Sequence, residues 1–270
     1  MFEVHDLSPR AGSEIRIGKQ DLLSGKYADE IDRLLKLRSA LVFRQIGLDN
    51  EEQLQFARTL GEVNPLGEDG VSKISLDPKV SSTADYTRGA FYWHIDGAND
   101  VVPAKATMLT AKVLSDEGGD TLICNTYAAY EDLSDDDKAR VARLRVRHSL
   151  ESTQRMVHPQ PSVAELTRWR MRPSQTHPLV WRHGSGRDSL LLGATAHYVE
   201  GMSLEDSAML LCRLQEFATQ EQYVYRHKWQ VGDLLIWDNT GTMHRADDYP
   251  LDSKRLMHRT TLHGQESVSG

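Results

Sequence analysis

The sequence predicts an α+β chain that is mainly β: a sandwich or barrel of short strands decorated by helices. Three observations lead there. Short segments of apolar and polar alternation recur along the chain, amphipathic helical patterns lie between them, and the two do not keep the strand–helix–strand rhythm of a parallel sheet. With 270 residues, 39% of them hydrophobic, the chain suits one large domain, 1–270, with enough apolar side chains for a buried core.

In chain order, strands are expected at 14–17, 40–43, 106–111, 119–125, 190–192 and 233–237. Between them, 27–37 places Ile31, Leu34, Leu35 and Leu37 on one broad helical face. The helix expected at 50–60 opens on Asp49-Asn50, which can cap it, and carries Leu54, Phe56, Ala57 and Leu60. A helix over 134–144 opens on Ser134 with Asp135, Asp136 and Asp137 in its first turn, where carboxylates favour the positive end of the helix. The strongest helical pattern, 203–218, starts at Ser203 and lines Met209, Leu210, Leu214 and Phe217 along a face. The region 151–187, with Pro159, Pro161, Pro173 and Pro178, is expected to be irregular, a lid or insert over a binding site.

Composition excludes several function classes. The net charge is −7 and no dense Lys/Arg run occurs, which argues against a nucleic-acid partner. Arg140, Arg143, Arg145 and Arg147 follow the acidic run 135–137, so a mixed-sign helix surface is expected there. No segment approaches the roughly 18–20 apolar residues that cross a bilayer, and the N-terminus is too charged for a signal peptide. Cys124 and Cys212 cannot build a disulfide framework, which suits reduced thiols in a cytoplasmic protein.

The chemistry-bearing residues begin with Tyr92-Trp93-His94-Ile95-Asp96-Gly97. In an extended segment His94 and Asp96 leave one face, able to grip one ion, and Gly97 lets the chain turn away. Alone, the pair fits better a buried histidine hydrogen-bonded to a nearby aspartate. A second segment runs from the apolar strand 233–237 through an Asp-Asn-Thr-Gly turn to His244. Two histidines and one carboxylate occupy one face of an octahedral ion, suit Fe(II), and leave positions for a bidentate cosubstrate and O2. Arg255 and Arg259 follow, four apart, so in a strand they share a face and can converge on a carboxylate. Tyr92, Trp93 and Trp237 either keep water out or pack in the core. His183-Gly184-Ser185-Gly186-Arg187 lacks the Lys-Ser/Thr ending of a phosphate loop and is expected to be a hairpin turn. No Gly-X-Ser-X-Gly nucleophile elbow is present.

Taken together, Trp93-His94-Ile95-Asp96, the turn and strand Gly118-Gly119-Asp120-Thr121, Val231-Gly232-Asp233 leading to Trp237-Asp238-Asn239, and His244 with Arg255 and Arg259 resemble the taurine/2,4-dichlorophenoxyacetate dioxygenases. The resemblance spans most of the chain and implies a double-stranded β-helix (jelly roll, cupin-like) core. It implies Fe(II) held by His94, Asp96 and His244, and 2-oxoglutarate held by Thr121, Arg255 and Arg259, with Arg255 on its distal carboxylate. It further implies an enzyme that consumes O2, hydroxylates a small organic substrate, releases succinate and CO2, and, like relatives, self-associates as a dimer or tetramer. Halogenation normally needs the carboxylate ligand replaced, and Asp96 is present. Oxidative desaturation and aryloxyalkanoate ether cleavage stay open. A metal-free binding module is disfavoured because ligands and arginines are all in place.

Two observations bear on the substrate. Taurine users carry a histidine in the loop that here reads Leu60-Gly61-Glu62-Val63-Asn64-Pro65-Leu66-Gly67-Glu68, which has none and adds Glu68. Resemblance over 197–237 is closer to the aryloxyalkanoate branch, yet Asp247 and Asp248 follow His244-Arg245, where that branch places a basic residue. Carboxylates in the pocket would repel an anion, so a neutral or cationic substrate, or one with its acid elsewhere, is expected.

Overall fold

The structure, a computed structural model, describes residues 2–67 and 70–270. Its main sheet has seven strands among the described residues, in the order Glu3–Asp6, Ser13–Arg16, Ala40–Phe43, Leu234–Asp238, Ala106–Val113, Leu256–Thr261 and Ser72–Ile74. All its pairings are antiparallel except the one between Ser13–Arg16 and Ala40–Phe43.

Side-chain alternation sets what each face touches. Leu41, Phe43, Met108, Leu234 and Ile236 pack with Ile31, Leu35, Phe56 and Ala57, so helices Ala28–Arg38 and Asn50–Leu60 cover the outer face. The alternate residues Ala40, Val42, Leu109, Leu235 and Trp237 meet Ile123 and Tyr225 of a second sheet, Val224–His227, Thr121–Asn125 and Thr242–Ala246. The chain is thus a two-sheet jelly roll: the alternating strands led us to expect a sandwich or barrel, and the family resemblance implied this form of it. Asp49 caps the second outer helix and Glu52 returns the bond to the Asp49 backbone, a full capping box.

A third small sheet, Ala196–Val199, Arg145–Ser149 and Ser174–Pro178, would continue the second one but for a gap. Trp93-His94 fills that gap. His94 pairs with His244 on one side, and the Ala194 amide donates to the Trp93 carbonyl at 2.7 Å on the other. The segment bearing the first candidate ligand is therefore stitched by backbone bonds into the sheet.

Several expectations need correction. The region 151–187 is largely regular, with helices Leu150–Val157 and Val163–Arg170 and strands Ser174–Pro178 and Val180–Arg182. The prolines sit at the ends of these elements, where a missing N–H costs nothing. The four arginines share no helix face: the helix stops at Val141, and Arg145 and Arg147 stand on a strand. The His183–Arg187 turn does close a hairpin between Val180–Arg182 and Asp188–Leu190. No helix among the described residues is long and apolar enough to cross a membrane.

One buried group gives the fold a pH dependence. His148 is fully buried; its Nδ1 lies 3.0 Å from Thr195 Oγ1, and its Nε2 has no partner among the described residues. Burial pushes its pKa from 6.5 down to about 3, so it folds neutral. Below its unfolded pKa only the unfolded chain takes the proton, so stability falls as pH drops from about 6.5 towards 3, by about 1.4 kcal/mol per unit. Thermal unfolding between pH 7 and 4 should show stability falling with pH, with other buried histidines such as His244 and His227 adding to the slope, and His148→Gln should lessen it by about 1.4 kcal/mol per unit.

Candidate active site

His94 and His244 face each other across an isolated antiparallel bridge in which each amide donates to the other's carbonyl, at 3.0 and 2.9 Å. Directly opposed residues send their side chains to the same face, and the two imidazoles lie with centroids 4.1 Å apart. Asp96 comes from just beyond, where the chain leaves the bridge and turns at Gly97 with φ +77°. A Cβ on Gly97 would sit 2.9 Å from the Ala104 amide nitrogen, so the turn admits little but glycine. Asp96 already lies in that turn, so the turn, not strand alternation, aims it.

The outcome is one cluster: His94, Asp96 and His244 each offer a ligand atom, all within 4.8 Å of one another. Asp96 Oδ1 lies 3.9 Å from His94 Nε2, and Oδ2 lies 3.8 Å from His244 Nε2. These separations are too long for hydrogen bonds and short enough for a shared ion. The Tyr92 carbonyl, 2.8 Å from His94 Nδ1, can only accept, so Nδ1 carries the proton and Nε2 presents its lone pair. His244 Nδ1 is buried without a partner among the described residues. Burial holds His244 neutral, its pKa well below the usual histidine value. Burial works against the Asp96 charge, but His244, Arg259, His94 and the Thr107 hydroxyl outweigh it and hold the carboxyl well below its usual range. Two neutral imidazoles and one carboxylate fit a first-row divalent ion such as Fe(II).

These side chains open onto a cavity of about 330 Å³, the scale of a small-molecule site. Thr121, Arg255 and Arg259 line the same cavity, so the structure brings together the six residues expected to hold metal and cosubstrate. Arg255 lies just before the strand Leu256–Thr261, with a register shift between Leu256 and Met257, so simple alternation does not explain why both arginines converge. Arg255 is 3% exposed and packs over the Tyr249 ring at 4.9 Å. Its Nη2 donates to the Gly119 carbonyl, while Nε has no partner and no carboxylate pairs with it among the described residues. A Cβ on Gly119, at φ +78°, would fall 2.9 Å from Arg255 Nε, so glycine there makes room for the guanidinium. A buried cation without a counterion is costly unless an anion joins it, which fits a carboxylate of 2-oxoglutarate. Arg259 Nη1 sits 3.9 Å from Asp96 Oδ1, on the metal side. Trp229 Nε1 donates to Thr121 Oγ1 at 3.0 Å, leaving the Thr121 hydroxyl proton free to donate to a ligand.

The expected repulsion of anions loses its premise. Asp247 pairs with Arg226 and Arg245, Asp248 is exposed, and neither lines the cavity, whereas Arg245 does. The described part of the 60–68 loop contributes nothing to the cavity wall, and Glu68 lies outside the described residues. Sequence reasoning missed Thr107, which donates to Asp96 Oδ2 at 2.7 Å, and Trp229 behind Thr121. A threonine inside the apolar run 106–111 was the available clue for the first; nothing in the sequence pattern marked the second.

The chain is similar to known proteins along most of its length. The family described as taurine catabolism dioxygenase TauD, TfdA family matches residues 3–261. An alpha-ketoglutarate-dependent 2,4-dichlorophenoxyacetate dioxygenase from Cupriavidus pinatubonensis is 36% identical over 264 residues, covering 91% of this chain and 91% of the relative. An alpha-ketoglutarate-dependent sulfate ester dioxygenase from Pseudomonas putida is 33% identical over 278 residues, covering 99% of this chain and 91% of the relative. Among solved structures, AAD-2 in complex with Mn(II) and N-oxalylglycine superposes with a TM-score of 0.87 at 29% identity, over the full length of both chains. The chain belongs to the TauD/TfdA dioxygenase family and is, with its relatives, an enzyme that uses Fe(II), 2-oxoglutarate and O2.

Proposed function

We propose that the enzyme oxidises a small organic anion with an apolar body, of the aryloxyalkanoate or alkyl sulfate ester kind. In this reading His94, Asp96 and His244 hold the iron, and Arg255, Thr121 and Arg259 hold 2-oxoglutarate. The observation that carries it is the buried Arg255 guanidinium, without a carboxylate partner among the described residues and facing the same cavity as the three ligand side chains. Bound iron with 2-oxoglutarate supplies activation of O2 coupled to loss of CO2 from the cosubstrate.

The protein's own part is binding, orientation and exclusion of water. Arg255 and the Thr121 hydroxyl pair with one carboxylate of the cosubstrate, and Arg259 steadies the end nearer Asp96. Ile95, Leu109, Phe91 and Trp237 make a largely apolar wall that keeps the reacting region dry. Arg245, on the wall beside Trp93, is the side chain placed to meet a substrate anion. Hydroxylation of a carbon next to an ether or ester oxygen leaves an unstable product that splits, which accounts for both substrate kinds named for the relatives.

Helix Leu150–Val157 roofs the cavity with Leu150, Thr153 and Gln154. Glu151 ties it to helix Val163–Arg170 through a two-bond contact with Arg170, at 2.6 and 2.9 Å. We read this helix pair as the lid.

Succinate release measured against phenoxyacetates, alkyl sulfates, taurine and neutral or cationic analogues tests the substrate class. Phenoxyacetates or alkyl sulfates should give the highest kcat/KM, and Arg245→Ala should raise their KM about 10-fold or more, as loss of a charge-assisted bond implies. Preferred turnover of a neutral or cationic compound would overturn the reading.

A further inference from the structure

We propose that Trp237 is a positioning residue for two of the three metal ligands at once, acting on Asp96 through Asn239 and Thr107 and on His244 through its ring. The inference rests on the ligand assignment above.

The chain of bonds has a single possible direction. An indole N–H can only donate, and Trp237 Nε1 lies 2.9 Å from Asn239 Oδ1. That fixes the amide orientation, so Asn239 Nδ2 is the group 2.9 Å from Thr107 Oγ1 and must donate to it. Thr107 has thereby accepted, and its own proton goes to Asp96 Oδ2 at 2.7 Å. Trp237, Asn239 and Thr107 are all essentially inaccessible, at 1, 0 and 0% exposure, so no water competes for these bonds. Sheet register holds the ends of the chain together, because Trp237 and Thr107 are direct cross-strand partners.

The second action is through packing. His94 is oriented by the Tyr92 carbonyl, but His244 Nδ1 has no such partner among the described residues. The Trp237 ring lies against the His244 ring with centroids 4.4 Å apart, and is what restrains that imidazole in place of a hydrogen bond. Outer partners of this kind fix the orientation of metal ligands.

The test uses the full chain and Mn(II) alone as probe, titrated while free Mn(II) is followed by its electron paramagnetic resonance signal. Thr107→Val should weaken Mn(II) binding by about 10–100-fold, and Thr107→Ser, which keeps the hydroxyl, should restore binding close to the wild-type value. Trp237→Phe keeps a ring over His244 but loses the indole donor, so it should weaken binding as Asn239→Ala does. The double variant should bind no worse than the weaker single one, because both break one chain. Thermal unfolding without metal establishes that each variant is folded at the titration temperature. A folded Thr107→Val protein with wild-type affinity, failure of Thr107→Ser to restore binding, or additive losses in the double variant would overturn the proposal. If Thr107→Val does not fold, the comparison of Trp237→Phe, Asn239→Ala and their combination decides alone. Wild-type protein that binds no Mn(II) overturns the ligand assignment and this inference with it; wild-type binding with an unaffected Thr107→Val variant overturns the inference only.

Discussion

Asp96→Ala is expected to abolish succinate formation, lowering kcat/KM by at least about 100-fold, the upper range for losing merely an outer partner of a metal ligand. Asp96 is the one anionic member of the cluster; histidine ligates a metal as a neutral imidazole. Without it the ion loses charge compensation, and Arg259, 3.9 Å from the carboxylate, adds repulsion in its place. Two measurements check this: succinate release under saturating 2-oxoglutarate, and Fe(II) titration with 2-oxoglutarate under anaerobic conditions, read by the charge-transfer absorption. A variant that keeps the absorption and turns over at the wild-type rate contradicts the ligand assignment.

The second large effect is expected at Arg255. Arg255→Met should raise the KM for 2-oxoglutarate on the order of 100-fold or more, because breaking a buried charge pair costs about 3–5 kcal/mol. Its accompaniment distinguishes a ligand-binding arginine from a structural one. This guanidinium is buried with no carboxylate against it among the described residues. Burial also pulls its pKa below the usual guanidinium value, the sign of a poorly compensated charge. An apolar side chain of similar length should therefore leave the free protein equally stable or more so. Added 2-oxoglutarate should raise the melting temperature of the wild type and not of the variant. Loss of stability in the free variant would mean that Arg255 serves the fold instead.

Much of this was legible in the residues. Ala40–Phe43 and Asn50–Leu60 form over the expected spans, because continuous burial of the one and the capped apolar face of the other are local patterns. The candidate site residues stood out only as a set: His94, Asp96, His244, Arg255 and Arg259 by their spacing, and Thr121 through the family resemblance. What escaped was non-local. The strands Thr242–Ala246 and Leu256–Thr261 carry His244 and Arg259, yet their alternation is blurred by burial on both faces and by the register shift at Leu256. The region 151–187 read as loop because its prolines mark boundaries without saying what lies between them. Asp247 was misjudged for a similar reason: its pairing with Arg226, 21 residues earlier, is not a local pattern. Thr107 became meaningful only once Asn239, 132 residues further along the chain, lay beside it.

The mutual backbone bonds between His94 and His244 have one more consequence. Main-chain bonds do not depend on which side chains surround them, so the seat proposed for the metal is insulated from drift in the walls around it. The walls themselves come largely from separate pieces: Thr83, Tyr86 and Thr87 from one stretch, Leu150, Thr153 and Gln154 from the roofing helix. This division makes the scaffold evolvable. Exchanging wall residues can then rewrite selectivity without disturbing the backbone bridge, in keeping with relatives named for 2,4-dichlorophenoxyacetate in one case and for sulfate esters in another.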